Sequence, residues 1–389
     1  MKPFLHFFTE SATHNIHLVH IEDGILTDGL AGAQTALDYL QSLATPPRGG
    51  KGAGNTLRVK SDGSPSFIAG FDPITDQFFV GTKSVFNKKT PKVNYTKEDI
   101  QTNHGDKPGL VKKLEELLMY LPEIIKSGIY QGDFLFDHSD LRMLKFQGKS
   151  YVCFNPNTLY YAIQDSDPLA EQIKKVKIGI AIHSEYQGNS LDDLTVSLSN
   201  VTSFKTTENV YIMKTLFDEQ ERFPDAQEII QTLQQAREWL KKIPPEEQFL
   251  TPQVRDSLMT FRNELVRKGI VNDLDAGQML EELRDWIQQQ KTTKKIQAGE
   301  TFVQNNRENL MNVFQFIILL NQAKMMIVTQ IDERMKKNPI KTLVHRDGNF
   351  VETASEGYVL SNPKIGRAFK LVNRAEFSKD NFANTRWDQ

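Results

Sequence analysis

A chain of 389 residues with 39% hydrophobic and 25% charged side chains has the make-up of an ordinary globular protein with room for about two domains. The 47 basic and 49 acidic residues leave a net charge of −2, so no overall field draws in nucleic acid and any phosphate contact must come from local clusters. A single cysteine, Cys153, excludes an intrachain disulfide, the apolar start Met1 to Phe8 is too short for a signal peptide, and the apolar run Val313 to Val328 is interrupted by Gln315, Asn321, Gln322 and Lys324 and falls short of a membrane span.

Strand-like residues open the chain. His17, His20, Glu22 and Asp23 look like metal ligands only superficially, and without a fixed zinc spacing they read as strand and turn residues. Ala36, Leu37 and Leu40 recur at helical spacing and predict a helix over 29–43. The glycine-rich stretch 45–54 reads as a loop flexible enough to form a lid, and it leads through Leu57 to the cluster Lys60-Ser61-Asp62-Gly63-Ser64. Residues 64–70 and 77–81 then predict a hairpin around the Asp72-Pro73 turn, followed by Thr82-Lys83-Ser84. A helix is expected from about 108 to 125, with Leu110, Leu114, Leu117 and Leu121 on one face. Strands follow at 129–136, which carries Gly132-Asp133, at 150–154, and at 176–182, which runs into His183.

From residue 215 the pattern turns helical. Ile229, Leu233, Ala236 and Leu240 share one face, Pro244-Pro245 breaks the run, and amphipathic stretches at about 252–268, 276–290 and 301–337 predict three to five helices. Strand-like sequence returns with Glu356-Gly357-Tyr358-Val359 and Phe369-Lys370-Leu371-Val372. The expected fold class is therefore α+β: a discontinuous domain of antiparallel sheets with flanking helices over 1–214 and 339–389, interrupted by an all-helical insertion over 215–338. Lysine groups at Lys88, Lys89, Lys92 and Lys97, at Lys174, Lys175 and Lys177, and at Lys291, Lys294 and Lys295 are the local clusters able to track a phosphate backbone.

The polar residues beside these strands form one chemical set. A lysine amine attacks phosphorus only when neutral, and a solvated lysine titrates near 10.4, so neighbouring cations such as Lys83 and Lys370, desolvation or a metal must lower its pKa. The same cations neutralise phosphate oxygens and a departing pyrophosphate. Asp133 and Glu356 are hard oxygen donors suited to magnesium, and Gly63 and Gly357 let backbone come close to a ligand. Taken singly, each motif is an ordinary turn or strand end; the ordered series is what points to chemistry.

At these residues the chain resembles the covalent nucleotidyltransferase superfamily of polynucleotide ligases and messenger-RNA capping enzymes, over the segments around 55–215 and 340–375. Lys60-Ser61-Asp62-Gly63 matches the superfamily's Lys-x-Asp-Gly, and the serine after the glycine is closest to phage-type ATP-dependent RNA ligases. The resemblance implies that Lys60 carries the nucleotide, that Asp62, Gly63, Lys83, Asp133, Glu356 and Lys370 bind it, and that Asp133 and Glu356 hold the metal. It further implies ATP and Mg2+, RNA or DNA ends as partners, no membrane, and a cytoplasmic location, in the host cell if the gene is a phage's. Base stacking falls to Tyr186 or Phe154.

Three departures stand beside the match. Aspartate replaces glutamate at Asp133, Val372 occupies the place of a second lysine with only Arg367 or Arg374 to substitute, and no oligonucleotide-binding barrel is expected after Val372. A capping-like guanylyltransferase, transfer to an acceptor other than nucleic acid, and a non-catalytic binding protein remain alternatives. The loss of the lysine at Val372 is the feature that favours the last.

Overall fold

The structure, a computed structural model, describes residues 18–45, 56–61, 63–197, 204–214, 225–346, 348–362 and 367–374. Asp62, His17 and nearly all of the glycine-rich loop read as a lid lie outside the described residues. In chain order the elements are β1 (Val19–His20), α1 (Gly24–Ala44), β2 (Thr56–Val59), β3 (Ser66–Phe71), β4 (Phe78–Gly81), α2 (Lys97–His104), α3 (Pro108–Tyr120), β5 (Ile129–Asp137), β6 (Arg142–Phe146), β7 (Lys149–Phe154), β8 (Tyr160–Gln164), α4 (Pro168–Lys175), β9 (Ile178–Gln187), β10 (Thr195–Ser197) and β11 (Val210–Ile212). The helices α5 (Ala226–Leu240), α6 (Pro252–Arg267), α7 (Ala276–Gln288), α8 (Thr293–Asn305) and α9 (Arg307–Met335) follow, and β12 (Ile340–Arg346), β13 (Asn349–Glu352), β14 (Tyr358–Asn362) and β15 (Arg367–Leu371) complete the series.

The architecture is α+β, with strands in three mainly antiparallel sheets. A four-stranded sheet runs β1-β15-β14-β2, so the last two described strands lie between the first two. A six-stranded sheet runs β10-β9-β5-β3-β4, with β11 also paired to β9, and a five-stranded sheet runs β13-β12-β8-β7-β6.

Period-two alternation assigns the faces of the four-stranded sheet. Leu57, Tyr358, Leu360, Phe369 and Leu371 lie on its back and join one apolar core with α1 and helices α5 to α9. The chain expected to form a separate insertion is therefore the packing partner of this small sheet. On the six-stranded sheet, Phe67, Phe134, Ile178, Ile180 and Ile182 pack against Leu114, Leu117 and Leu121 of α3 and the turn after it.

Helix boundaries differ from the periodic pattern where the backbone leaves helical geometry. The first helix starts at Gly24 but is broken at Asp28 and Gly29, and beyond the break the Leu30 amide donates to Glu246 Oε1 at 2.8 Å. The single helix expected over 301–337 is two, parted at Asn306, where φ −120° and ψ 21° are not helical. The run expected to fall short of a membrane span belongs to α9, whose full 29 residues are long and apolar enough to cross one, yet 61% of its apolar window is buried within the protein, and it serves as the central helix of the helical layer.

Candidate functional site

Lys60 and Glu356 are 296 residues apart in sequence and are brought together by strand register. β2 and β14 pair antiparallel with Val59 opposite Tyr358, so the next residues outward, Lys60 and Gly357, face one another, and the Lys60 amide donates to the Gly357 carbonyl at 2.8 Å. The Lys60 ammonium then reaches Glu356 Oε2 at 2.6 Å, where the carboxylate is almost wholly buried and the lysine retains 21% side-chain exposure.

The two glycines sit where a side chain would collide with the protein itself. A Cβ on Gly63 would stand 2.4 Å from the Phe134 carbonyl oxygen and 2.8 Å from Asp133 Cβ, so the missing side chain lets the turn after Lys60 press onto β5. Gly357 has φ +125°, and a Cβ there would meet Val372 Cγ2 at 2.6 Å. Both glycines let neighbouring protein groups close in around the Lys60 turn.

A cleft of about 410 Å³ opens between the four-stranded and six-stranded sheets. From the first, Arg58, Val359 and Lys370 form a single cross-strand row on the face opposite the helices. The second contributes Ser66, Gln131 and Asp133 on the face of β3 and β5 away from α3. Lys60 and Gly63 line the cleft, as does Lys83, which opens a short 3-10 turn where the Thr82 hydroxyl accepts from the Ser84 amide. Of the expected residues, Lys60, Gly63, Lys83, Asp133 and Lys370 thus share one cavity; Glu356 joins them through its ion pair with Lys60; Asp62 lies outside the described residues.

Asp133 and Glu356, the expected metal ligands, each have a different partner. Glu356 holds Lys60 and lines a smaller cavity of about 160 Å³ behind its turn, whereas Asp133 sits on the opposite wall with its Oδ2 3.5 Å from His183 Nε2. Among the described residues no three His, Cys, Asp or Glu side chains converge as a ready-made metal cage.

His183 and Arg58 are cleft residues to which the sequence motifs assigned no role. β5 pairs Gln131 with Ser184 but Gly132 with Ile182, which makes His183 the extra residue of a β-bulge. As a result His183 and Ser184, neighbours in sequence, both line the cleft. The bulged carbonyl of His183 accepts from the buried Arg58 guanidinium, tying the two sheets together across the cleft; burial pushes the pKa of Arg58 down. The signal available for Arg58 was its position two residues before Lys60, on the same face of an alternating strand.

The aromatic side chains expected to stack on a base do not reach the cleft. Phe154 is packed between Phe136 and Tyr161, and the buried Tyr186 donates its hydroxyl to Gln131 while its ring meets Phe86. Burial pushes the Tyr186 phenol up to about 12. The arginines expected to replace a second lysine are also engaged elsewhere: Arg367 with Asp28 at 2.7 Å and Arg374 with Asp23 at 2.6 Å. Val372 is buried against Gly357 and its carbonyl accepts from Lys324, so its place in the fold is structural.

A family model, described as a family of unknown function, DUF6267, matches residues 15–386. The chain belongs to that family. No curated protein and no solved structure matches it. The match of this DUF6267 member spans both sheet segments and the helical layer, so the cleft and the helices behind it belong to one family unit.

Proposed function

We propose that this DUF6267 protein is an ATP-dependent, ligase-like adenylyltransferase acting on polynucleotide ends, RNA in preference to DNA, through a covalent lysyl-AMP on Lys60. The observation that carries this reading is the Lys60 to Glu356 contact of 2.6 Å beside a cleft also lined by Lys83, Lys370 and Arg58. An anion with several charges is the ligand such a cationic cleft accommodates.

In the first step the Lys60 ammonium gives up a proton, for which Glu356 Oε2 is the adjacent base. The amine forms a bond to the α-phosphorus, the bond to the bridging oxygen breaks, and pyrophosphate leaves with its charge met by Lys83 and Lys370. A terminal 5′-phosphate oxygen then displaces the lysine to give a capped end, and a 3′-hydroxyl displaces AMP to join the strands. A divalent metal, when bound, would neutralise phosphate charge, and Asp133 is the carboxylate placed within the cleft to hold it. The reaction needs neither a membrane nor an oxidising compartment, which favours the cytoplasm, of a host cell for a phage gene.

The test is intact mass under denaturing conditions after incubation with ATP and Mg2+ or Mn2+. One AMP adduct on the wild type and none on Lys60→Ala is expected. An adduct with GTP alone points to a capping-like transferase, and no adduct with any nucleotide rejects covalent transfer. The binding-only alternative retains one observation in its favour, the apolar Val372 at the end of β15.

A further inference from the structure

The cleft wall opposite Lys60 sets His183, which the transfer steps leave without a role, beside Asp133, the carboxylate already given to the metal. Asp133 is 7% exposed, and its Oδ2 stands 3.5 Å from His183 Nε2. Three features aim that imidazole: the β-bulge, the hold of Arg58 on the His183 carbonyl, and a 2.9 Å contact between His183 Nδ1 and the Ser184 hydroxyl. With Nδ1 occupied by the serine, Nε2 is the nitrogen presented to the carboxylate. This is the arrangement by which an outer hydroxyl or carboxylate fixes a metal-binding histidine.

The spacing is compatible with an ion shared by the pair. A charge-assisted hydrogen bond closes to about 2.7–2.9 Å, so 3.5 Å is wide for a direct imidazole-carboxylate contact. Two donors that each lie about 2.1 Å from one ion stand roughly 3.0–3.4 Å apart, close to what is observed. Ser66 and Gln131 line the same wall, but their side-chain oxygens are held by one another, by the Gly132 carbonyl and by Tyr186, so phosphate oxygens and water would complete the coordination.

We propose that Asp133 and His183 are the two protein ligands of a divalent-metal subsite whose imidazole donor makes it favour Mn2+, or another first-row transition ion, over Mg2+. Magnesium takes hard oxygens and gives up its waters reluctantly, whereas imidazole nitrogen suits the transition ions, whose affinities for mixed nitrogen and oxygen sites are higher. The subsite puts the metal on the six-stranded sheet and the nucleophile on the four-stranded one, leaving Glu356 to Lys60. It deepens the adenylyltransferase reading and rests on it only for the phosphate oxygens.

The experiment needs no nucleotide. Mn2+ is titrated into the full-length protein and its Lys60→Ala variant while histidine side-chain NMR signals are followed. Strong paramagnetic broadening of one imidazole is expected, that signal being assigned to His183 by its absence from His183→Gln. Asp133→Asn should weaken the broadening at least tenfold, and a tenfold excess of Mg2+ should not reverse it. Broadening that ignores Asp133→Asn, that spares His183, or that equimolar Mg2+ abolishes overturns the proposal. Should Asp133→Asn fail to fold, His183→Gln decides alone: bulk Mn2+ affinity, from water proton relaxation, must fall at least tenfold. An AMP adduct without His183 broadening sinks the metal assignment only, while broadening without an adduct leaves it standing and sinks the transferase reading.

Discussion

At the scale of single residues, the contact between Lys60 and Glu356 depends on a backbone conformation that one amino acid adopts readily. Gly357 combines φ +125° with a site where a Cβ would lie 2.6 Å from Val372 Cγ2 and 2.8 Å from the Leu371 carbonyl oxygen. Both objects are fixed, since Val372 is buried and Leu371 is in β15. Gly357→Ala is therefore expected to lower stability by on the order of 3 kcal/mol, read as a shift of the urea midpoint, and to reduce adduct formation at Lys60. A midpoint equal to wild type would mean that the turn relaxes without cost. The same residue-scale reasoning gives Val372 a packing role of its own: it is the wall against which Gly357 closes.

At the scale of elements, β15 carries Lys370 and is clamped by buried charge. Its β1 partner places His20 beside Lys370, and just past the strand the fully buried Lys324 bonds both Glu22 and the Val372 carbonyl at 2.9 Å. Asp23 is held by Arg262 at 2.7 Å and Arg374 at 2.6 Å. Burial alone would raise the carboxyls of Glu22 and Asp23, yet Lys324 for the first and Arg262 for the second override it and hold both below their ordinary values. His20 moves down from 6.5 to about 4, chiefly through burial, with Arg374 and Lys324 adding to the shift and Glu22 opposing it.

The sign of the resulting pH dependence follows from proton counting. Between pH 6.5 and about 4 the unfolded chain protonates His20 while the folded protein does not, so stability falls as the pH drops through that window, by on the order of 3 kcal/mol in all. Glu116, raised to about 7 mainly by burial, slopes the other way over part of this range. The measurement is therefore the difference in melting temperature between wild type and His20→Gln across pH 4 to 7. That difference should narrow toward acid; a constant offset would rule out titration of His20 as the cause.

At the scale of the whole molecule, the helical layer is the other half of the sheet that carries Lys60, Glu356 and Lys370. Leu57, Tyr358, Leu360, Phe369 and Leu371 present their apolar faces to it. Each such side chain returned to water costs about 2 kcal/mol, so together they represent about 10 kcal/mol, comparable to the entire stability of a typical domain. Replacing residues 225–338 by a short linker is thus expected to yield insoluble or unfolded protein, judged by size exclusion and circular dichroism. A soluble, folded product that still accepts AMP would show the helices to be an independent appendage.

The sequence by itself determined the α+β class, the hairpin of β3 and β4, most helices of the second half, and the polar stations from Lys60 to Lys370, because alternation, helical spacing and turn chemistry are local properties of the chain. It also located the first half of the strand that carries His183, but neither its continuation to Gln187 nor the bulge, which exists only as a mismatch in register with β5. Only the tertiary structure decided that Glu356 serves Lys60 and not Asp133, that Arg58 spans the two sheets, that Tyr186 and Phe154 belong to the interior, and that the helices complete a sheet. Those outcomes depend on which strand lies beside which and on what each buried charge finds as a partner. Pairings across hundreds of residues leave no periodic trace in the chain that makes them.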